Sequence, residues 1–162
     1  MTVDQHTYFS DKYEKYADMI YRISLIYLKN IQDAEDLVSD VFIKLMEKKL
    51  AFNNDAHEKA WVIRITINSC KNALKSKWFQ RVNYEESIYS YLNTKEDIRL
   101  MDDIMRLAPK YRTVIYLYYY EGYKMCEISD MLNIKESTIR SQISRGRKML
   151  KSFITEGGCY NV

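Results

Sequence analysis

The sequence predicts an all-α protein made of two small helical domains joined by a linker, the C-terminal one a helix-turn-helix. Three observations carry that expectation. The 162 residues hold one proline and four glycines, too little turn chemistry for a β-rich chain. Apolar residues recur close to every 3.6 positions over long stretches. Charge is laid down in alternating blocks rather than evenly. Residues 31–47 carry five acids and one base, 59–81 carry six bases and no acid, and 84–103 carry six acids and two bases. Lys135 to Lys151 then carry six bases and one acid, although the whole chain is only +3. Two basic blocks alternating with two acidic ones point to two nucleic-acid surfaces on separate bodies.

Each element follows from its own pattern. A first helix is expected from about Tyr8 to Leu28, with Tyr13, Tyr16, Ile20, Ile23 and Tyr27 inward and Asn30 as its C-terminal breaker. A second starts near Asp33, whose carboxylate suits a first turn, and runs to about Lys48. Its inward stripe is Ala34, Leu37, Val38, Val41, Phe42 and Leu45, and its outer side carries Asp33, Asp36, Asp40 and Lys44. Residues 53–57 read as a loop. A third helix is expected from Glu58 to Lys77. On it Arg64, Asn68, Lys71 and Lys75 form a seam about 60° wide at 100° per residue, beside an apolar stripe of Ile63, Ile67, Cys70 and Leu74.

Periodicity weakens over 79–97, which reads as the linker between domains 1–78 and 98–156. Leu107-Ala-Pro109 punctuates two helices, with Pro109 suited to a first turn. Tyr111 to Tyr120 reads as an apolar helix, its tyrosine run mostly core, closed by Glu121-Gly122. Glu127 to Lys148 then reads as helix, sharp turn and cationic helix, a pattern fitted to a polyphosphate. Gly157-Gly158 is expected to stop it before a tail, 157–162.

Several classes of function are excluded. Hydrophobic content of 47% with 29% charged residues argues against disorder. Cys70, Cys126 and Cys159 lack metal-site spacing, and His6 and His57 are isolated, so neither a metal nor another cofactor is expected. There is no nucleophile–base constellation or phosphate-binding glycine loop, so an enzyme is not expected. The polar N-terminus and the lack of any apolar run near 20 residues point to a cytoplasmic chain with no insertion into a membrane.

Taken in order, these blocks resemble the bacterial sigma-70 superfamily of RNA polymerase sigma factors, in particular the small extracytoplasmic-function (ECF) group. Asp33-Ala-Glu-Asp-Leu-Val-Ser-Asp-Val-Phe-Ile-Lys-Leu-Met46 is similar to the family's region 2.2, and Ala60 to Leu74 to regions 2.3 and 2.4. Leu107 to Gly122 is similar to region 4.1 and Glu127 to Leu150 to region 4.2.

The resemblance implies a non-catalytic subunit that brings polymerase core to promoters and opens them. It places Thr138, Arg140, Ser141, Ser144, Arg145 and Lys148 towards the duplex −35 element. Arginine suits guanine readout and phosphate contact alike. The single-stranded −10 element would meet Asn53, Asn54, Trp61, Arg64, Asn68, Lys71 and Lys75, with the 52–57 loop capturing a flipped base. For Trp61, stacking on a base and burial in the core are both open. Asp33, Asp36 and Asp40 would dock on the clamp helices of the largest polymerase subunit. An anti-sigma factor restrains many members of the family, often at the membrane.

The chain departs from the family pattern in four places. Lys124 and Lys135 stand where serine often caps a helix, Ser129 where alanine is common, and Asn133 where the turn often has glycine. Each missing cap costs on the order of 1 kcal/mol, whereas Asn133 can take the left-handed conformation. Gly146 is read as having no particular role. Two alternatives stand beside the leading one: a free-standing helix-turn-helix regulator, and a sigma factor dedicated to toxin or bacteriocin genes. The first leaves the acidic helix and the basic seam unexplained.

Overall fold

The structure, a computed structural model, describes residues 3–48, 51–76 and 95–156. All regular structure among them is helical, and the chain divides into two compact units, 1–85 and 86–162. The expected tail and most of the expected linker lie outside the described residues.

The first unit is a three-helix body of α1 (Val3–Leu28), α2 (Ile31–Glu47) and α3 (Asp55–Ser76), each packed against the other two. Its core takes Tyr16, Ile20 and Ile23 from α1, Leu37, Val41 and Leu45 from α2, and Val62, Ile63, Ile67 and Cys70 from α3. The inward stripes are the predicted ones except at Tyr13, which is 46% exposed on α1, and the helix boundaries differ. α1 starts five residues before Tyr8. The turn after it is made by Lys29, at φ 58°, and not by Asn30. Asn30 instead caps α2, its side-chain oxygen accepting from the Asp33 N–H at 2.9 Å, so α2 starts at Ile31. α3 starts at Asp55 and not Glu58, because Asn54 caps it in the same way. The Asn54 side chain accepts from the His57 N–H at 2.8 Å, and its carbonyl accepts from the Glu58 N–H at 3.1 Å.

The second unit contains α4 (Lys95–Arg106), α5 (Pro109–Ile115), a π-helical turn (Tyr116–Tyr120), α6 (Met125–Leu132) and α7 (Glu136–Glu156). α4 begins inside the stretch expected to be linker. Arg112, buried at 3% exposure, ties α4 to α5 by donating through Nη1 to the carbonyls of Leu107 (2.7 Å) and Met105 (3.3 Å). Carbonyls orphaned at the end of α4 thus gain a charged donor. Leu107, Tyr111 and Ile115 then pack against Met149, Leu150 and Phe153 of α7.

Two expectations fail in this unit. The tyrosine run is not mostly core. Tyr116 and Leu117 are buried, but Tyr119 and Tyr120 are 54% and 61% exposed, because the wider π turn breaks the register that would have carried them inward. Gly146 does have a role. It is buried where α7 crosses α5, and a Cβ there would lie 2.5 Å from Ile115 Cδ1 and 3.5 Å from Tyr111 Cβ.

Candidate nucleic-acid interface

The helix-turn-helix is α6 and α7, and its turn rests on two residues that depart from the family pattern. Asn133 adopts φ 53°, ψ 47°, the left-handed conformation its side chain tolerates. Ser129 clamps both ends of the turn. Its carbonyl accepts from the Asn133 and Ile134 N–H groups, and its hydroxyl donates to the Ile134 carbonyl at 2.6 Å. At the start of α6, Lys124 has no side-chain acceptor to cap the helix. Glu127 reaches back to accept from the Lys124 N–H at 2.7 Å, the reciprocal half of a capping box.

α7 buries Ile139, Ile143 and Gly146 on one side. Opposite them, at 100° per residue, Thr138, Ser141, Ser144, Arg145 and Lys148 fall within an arc of about 120°, and all five are exposed. Arg140 lies outside that arc on the flank, beside Lys151, and pairs with Glu136 at 3.2 Å. The Ser141 hydroxyl donates to the Ser137 carbonyl at 3.0 Å, which leaves its oxygen able to accept. At 21 residues, α7 is about 31 Å long, ample to lie along a major groove.

In the first unit, the α3 seam faces outward. Arg64, Asn68 and Lys75 are exposed and Lys71 is half-buried. Asn53 and Asn54 are exposed at the N-terminal end of the same helix, with the Asn54 side-chain oxygen committed to its cap, accepting from the His57 N–H. Trp61 is half-buried, its ring 5.6 Å from that of Phe52, which also stands 5.6 Å from the His57 ring. One aromatic group thus backs the bend that carries the asparagines.

On α2, Asp36 and Asp40 are exposed and Asp33 is half-buried, with Asp36 accepting from Gln32 at 3.2 Å. Ile43, 55% exposed, shares their face, and sequence reading missed it. Its spacing of three and seven residues from Asp40 and Asp36 was the available signal.

Glu58 was also missed. It is 5% exposed, and its carboxylate accepts from Lys12 Nζ at 2.6 and 2.5 Å and from the Tyr16 hydroxyl at 2.6 Å. Burial alone would raise its pKa. The hydrogen bonds from Lys12 and Tyr16 and the charges of Lys12 and Lys15 outweigh that and hold it below the ordinary 4.5. Burial pushes the Cys70 thiol up to about 12, so it is inert as a nucleophile. No cluster of metal-ligating side chains occurs among the described residues. No helix among them is long and apolar enough to cross a membrane.

Comparison with known proteins agrees with this layout. The Sigma-70 region 2 family matches residues 13–80, and the Sigma-70, region 4 family matches residues 98–150. The chain is 28% identical to the ECF RNA polymerase sigma factor SigW of Bacillus subtilis, over 88% of this chain and 87% of SigW. It is 26% identical to SigV of the same organism, over 84% of each. Among solved structures, the fold is similar to that of the sigma factor RpoE of Bartonella quintana, solved with the anti-sigma factor NepR. The TM-score there is 0.74 at 18% identity, covering 89% of this chain and 94% of that one. CnrH, solved with the cytosolic domain of CnrY, gives 0.69 at 20% identity, covering 93% and 89%. Both sigma regions are present in order, each on its own compact unit, and the chain belongs to the ECF group of the sigma-70 family of RNA polymerase sigma factors.

Proposed function

We propose that this sigma factor directs core polymerase to its promoters through three separate surfaces and performs no chemistry itself. The observation that carries the reading is that each unit exposes a cationic helix face, α3 in the first and α7 in the second, while α2 exposes carboxylates. Arg145, Lys148, Ser141, Ser144 and Thr138 meet the −35 duplex in the major groove. Arg140, on the flank, takes a backbone phosphate. Arg64, Asn68, Lys71 and Lys75 follow the −10 strand, and Asn53 and Asn54 bond an unstacked base beside Phe52 and Trp61. Asp33, Asp36 and Asp40 dock on basic clamp helices of the polymerase, with Ile43 as an apolar anchor among them. The domain boundaries that go with these roles are 1–78 and 98–156.

The expected result is that purified protein with core polymerase starts transcription at a specific promoter, while the protein alone binds that promoter weakly. Tight operator binding without polymerase would instead favour a free-standing regulator. Replacing both Asp36 and Asp40 by Ala should weaken core binding in a pull-down with purified core. Undiminished binding would rule out the α2 surface.

RpoE was solved with the anti-sigma factor NepR, and CnrH with the cytosolic domain of CnrY. By extension, an anti-sigma protein restrains this chain in the cytoplasm, where polymerase and chromosome are. Co-purification from native cells under non-inducing conditions tests for it.

A further inference from the structure

We infer that Glu58 is a positioning residue for −10 recognition: through Lys12 and Tyr16 it locks the first turn of α3 onto α1, and so holds the Asn53–Asn54 bend in its DNA-ready shape. This rests on the −10 reading of that bend. Lys12 and Glu58 are 46 residues apart, so the contact is a property of the fold and not of local sequence. Lys12, Lys15 and Tyr16 lie at i, i+3 and i+4, on one face of α1. Lys15 adds contacts to Glu58 at 3.7 Å and to Asp55, also in the first turn of α3, at 3.1 Å.

Burying a carboxylate and an ammonium costs desolvation that an apolar pair would avoid. What the ion pair adds is a fixed direction. That direction passes straight to the bend. The Glu58 N–H donates to the Asn54 carbonyl at 3.1 Å, the His57 N–H to the Asn54 side chain at 2.8 Å, and the Asn53 N–H to His57 Nδ1 at 3.4 Å. Asn53, Asn54 and His57 themselves are exposed. A bend fixed before DNA arrives spares the ordering cost on binding.

The test uses holoenzyme and a fluorescent single-stranded oligonucleotide carrying the −10 sequence of a promoter it opens. Affinity is read well below each variant's melting temperature, which is followed by circular dichroism. Glu58→Gln and Lys12→Met should each weaken oligonucleotide binding by about fivefold, with core binding unchanged, and the double variant should lose no more than either single one. A lowered melting temperature with unchanged oligonucleotide affinity would make Glu58 merely structural and overturn the inference. So would losses that multiply in the double variant. Asn53→Ala with Asn54→Ala is the control. If it weakens binding while Glu58→Gln does not, the −10 reading stands and the positioning role falls. If neither weakens binding, both fall.

Discussion

Glu58 and Arg112 are charged side chains buried among the described residues; Glu58 is held by Lys12 and Tyr16 from α1, and Arg112 by the carbonyls of Met105 on α4 and Leu107 just beyond it. For Glu58 this has a consequence in acid. Its carboxyl is held below the ordinary 4.5, so the unfolded chain binds that proton more readily than the folded one. The stability it contributes is therefore fully present above pH 4.5 and is lost as the pH falls below that through the folded value. Glu58→Gln should lower stability by about 2 kcal/mol at neutral pH. It should also flatten the decline in stability as the pH falls below 4.5, which urea unfolding over a series of acid pH values would show. A decline as steep as the parent's would mean that other carboxylates dominate acid unfolding. None of this was legible in the sequence, because Lys12 and Tyr16 reach Glu58 only after α1 and α3 have packed.

At the scale of the element, the helices were largely legible and their ends were not. Inward stripes such as Leu37, Val41 and Leu45 follow from period alone, since burial repeats with the helix. A helix start depends on a single side chain meeting a backbone N–H. Asn30 and Asn54 could each have been breaker, loop or cap. Asn133 was readable because its role needs only a tolerance for the left-handed region, which is a property of the residue itself. Gly146 was unreadable because its meaning lies in Ile115, on another helix. Two effects oppose each other there. Gly146→Ala gains about 1 kcal/mol of helix propensity but places a methyl 2.5 Å from Ile115 Cδ1, an overpacking that costs about 1–3 kcal/mol. The alanine variant should thus be close to neutral or mildly destabilised. Gly146→Val, larger and β-branched, should lose about 2 kcal/mol or more in urea denaturation. A valine variant as stable as the parent would show that α5 and α7 have room to separate.

For the whole molecule, the basic blocks foretold two cationic faces, and the structure puts one on each compact unit. What they read follows from geometry that charge counting cannot supply. Arg145 stands inside the exposed arc of α7, whereas Arg140 stands on its flank and pairs with Glu136. Arg145→Ala should therefore cost about 1–3 kcal/mol at a promoter with its preferred −35 sequence and less at one with that sequence scrambled. Arg140→Ala should weaken both promoters alike and reduce the salt slope of binding by about 1. Neither change should matter on a premelted template that lacks the −35 element, where Lys71→Ala with Lys75→Ala should still impair initiation. Abortive-transcript yield on the three templates, measured with holoenzyme over a range of salt, separates these outcomes. If Arg145→Ala were equally damaging on the template without −35 DNA, the division of labour between α3 and α7 would be wrong, and the α7 face would have to act on polymerase or on the melted strand instead.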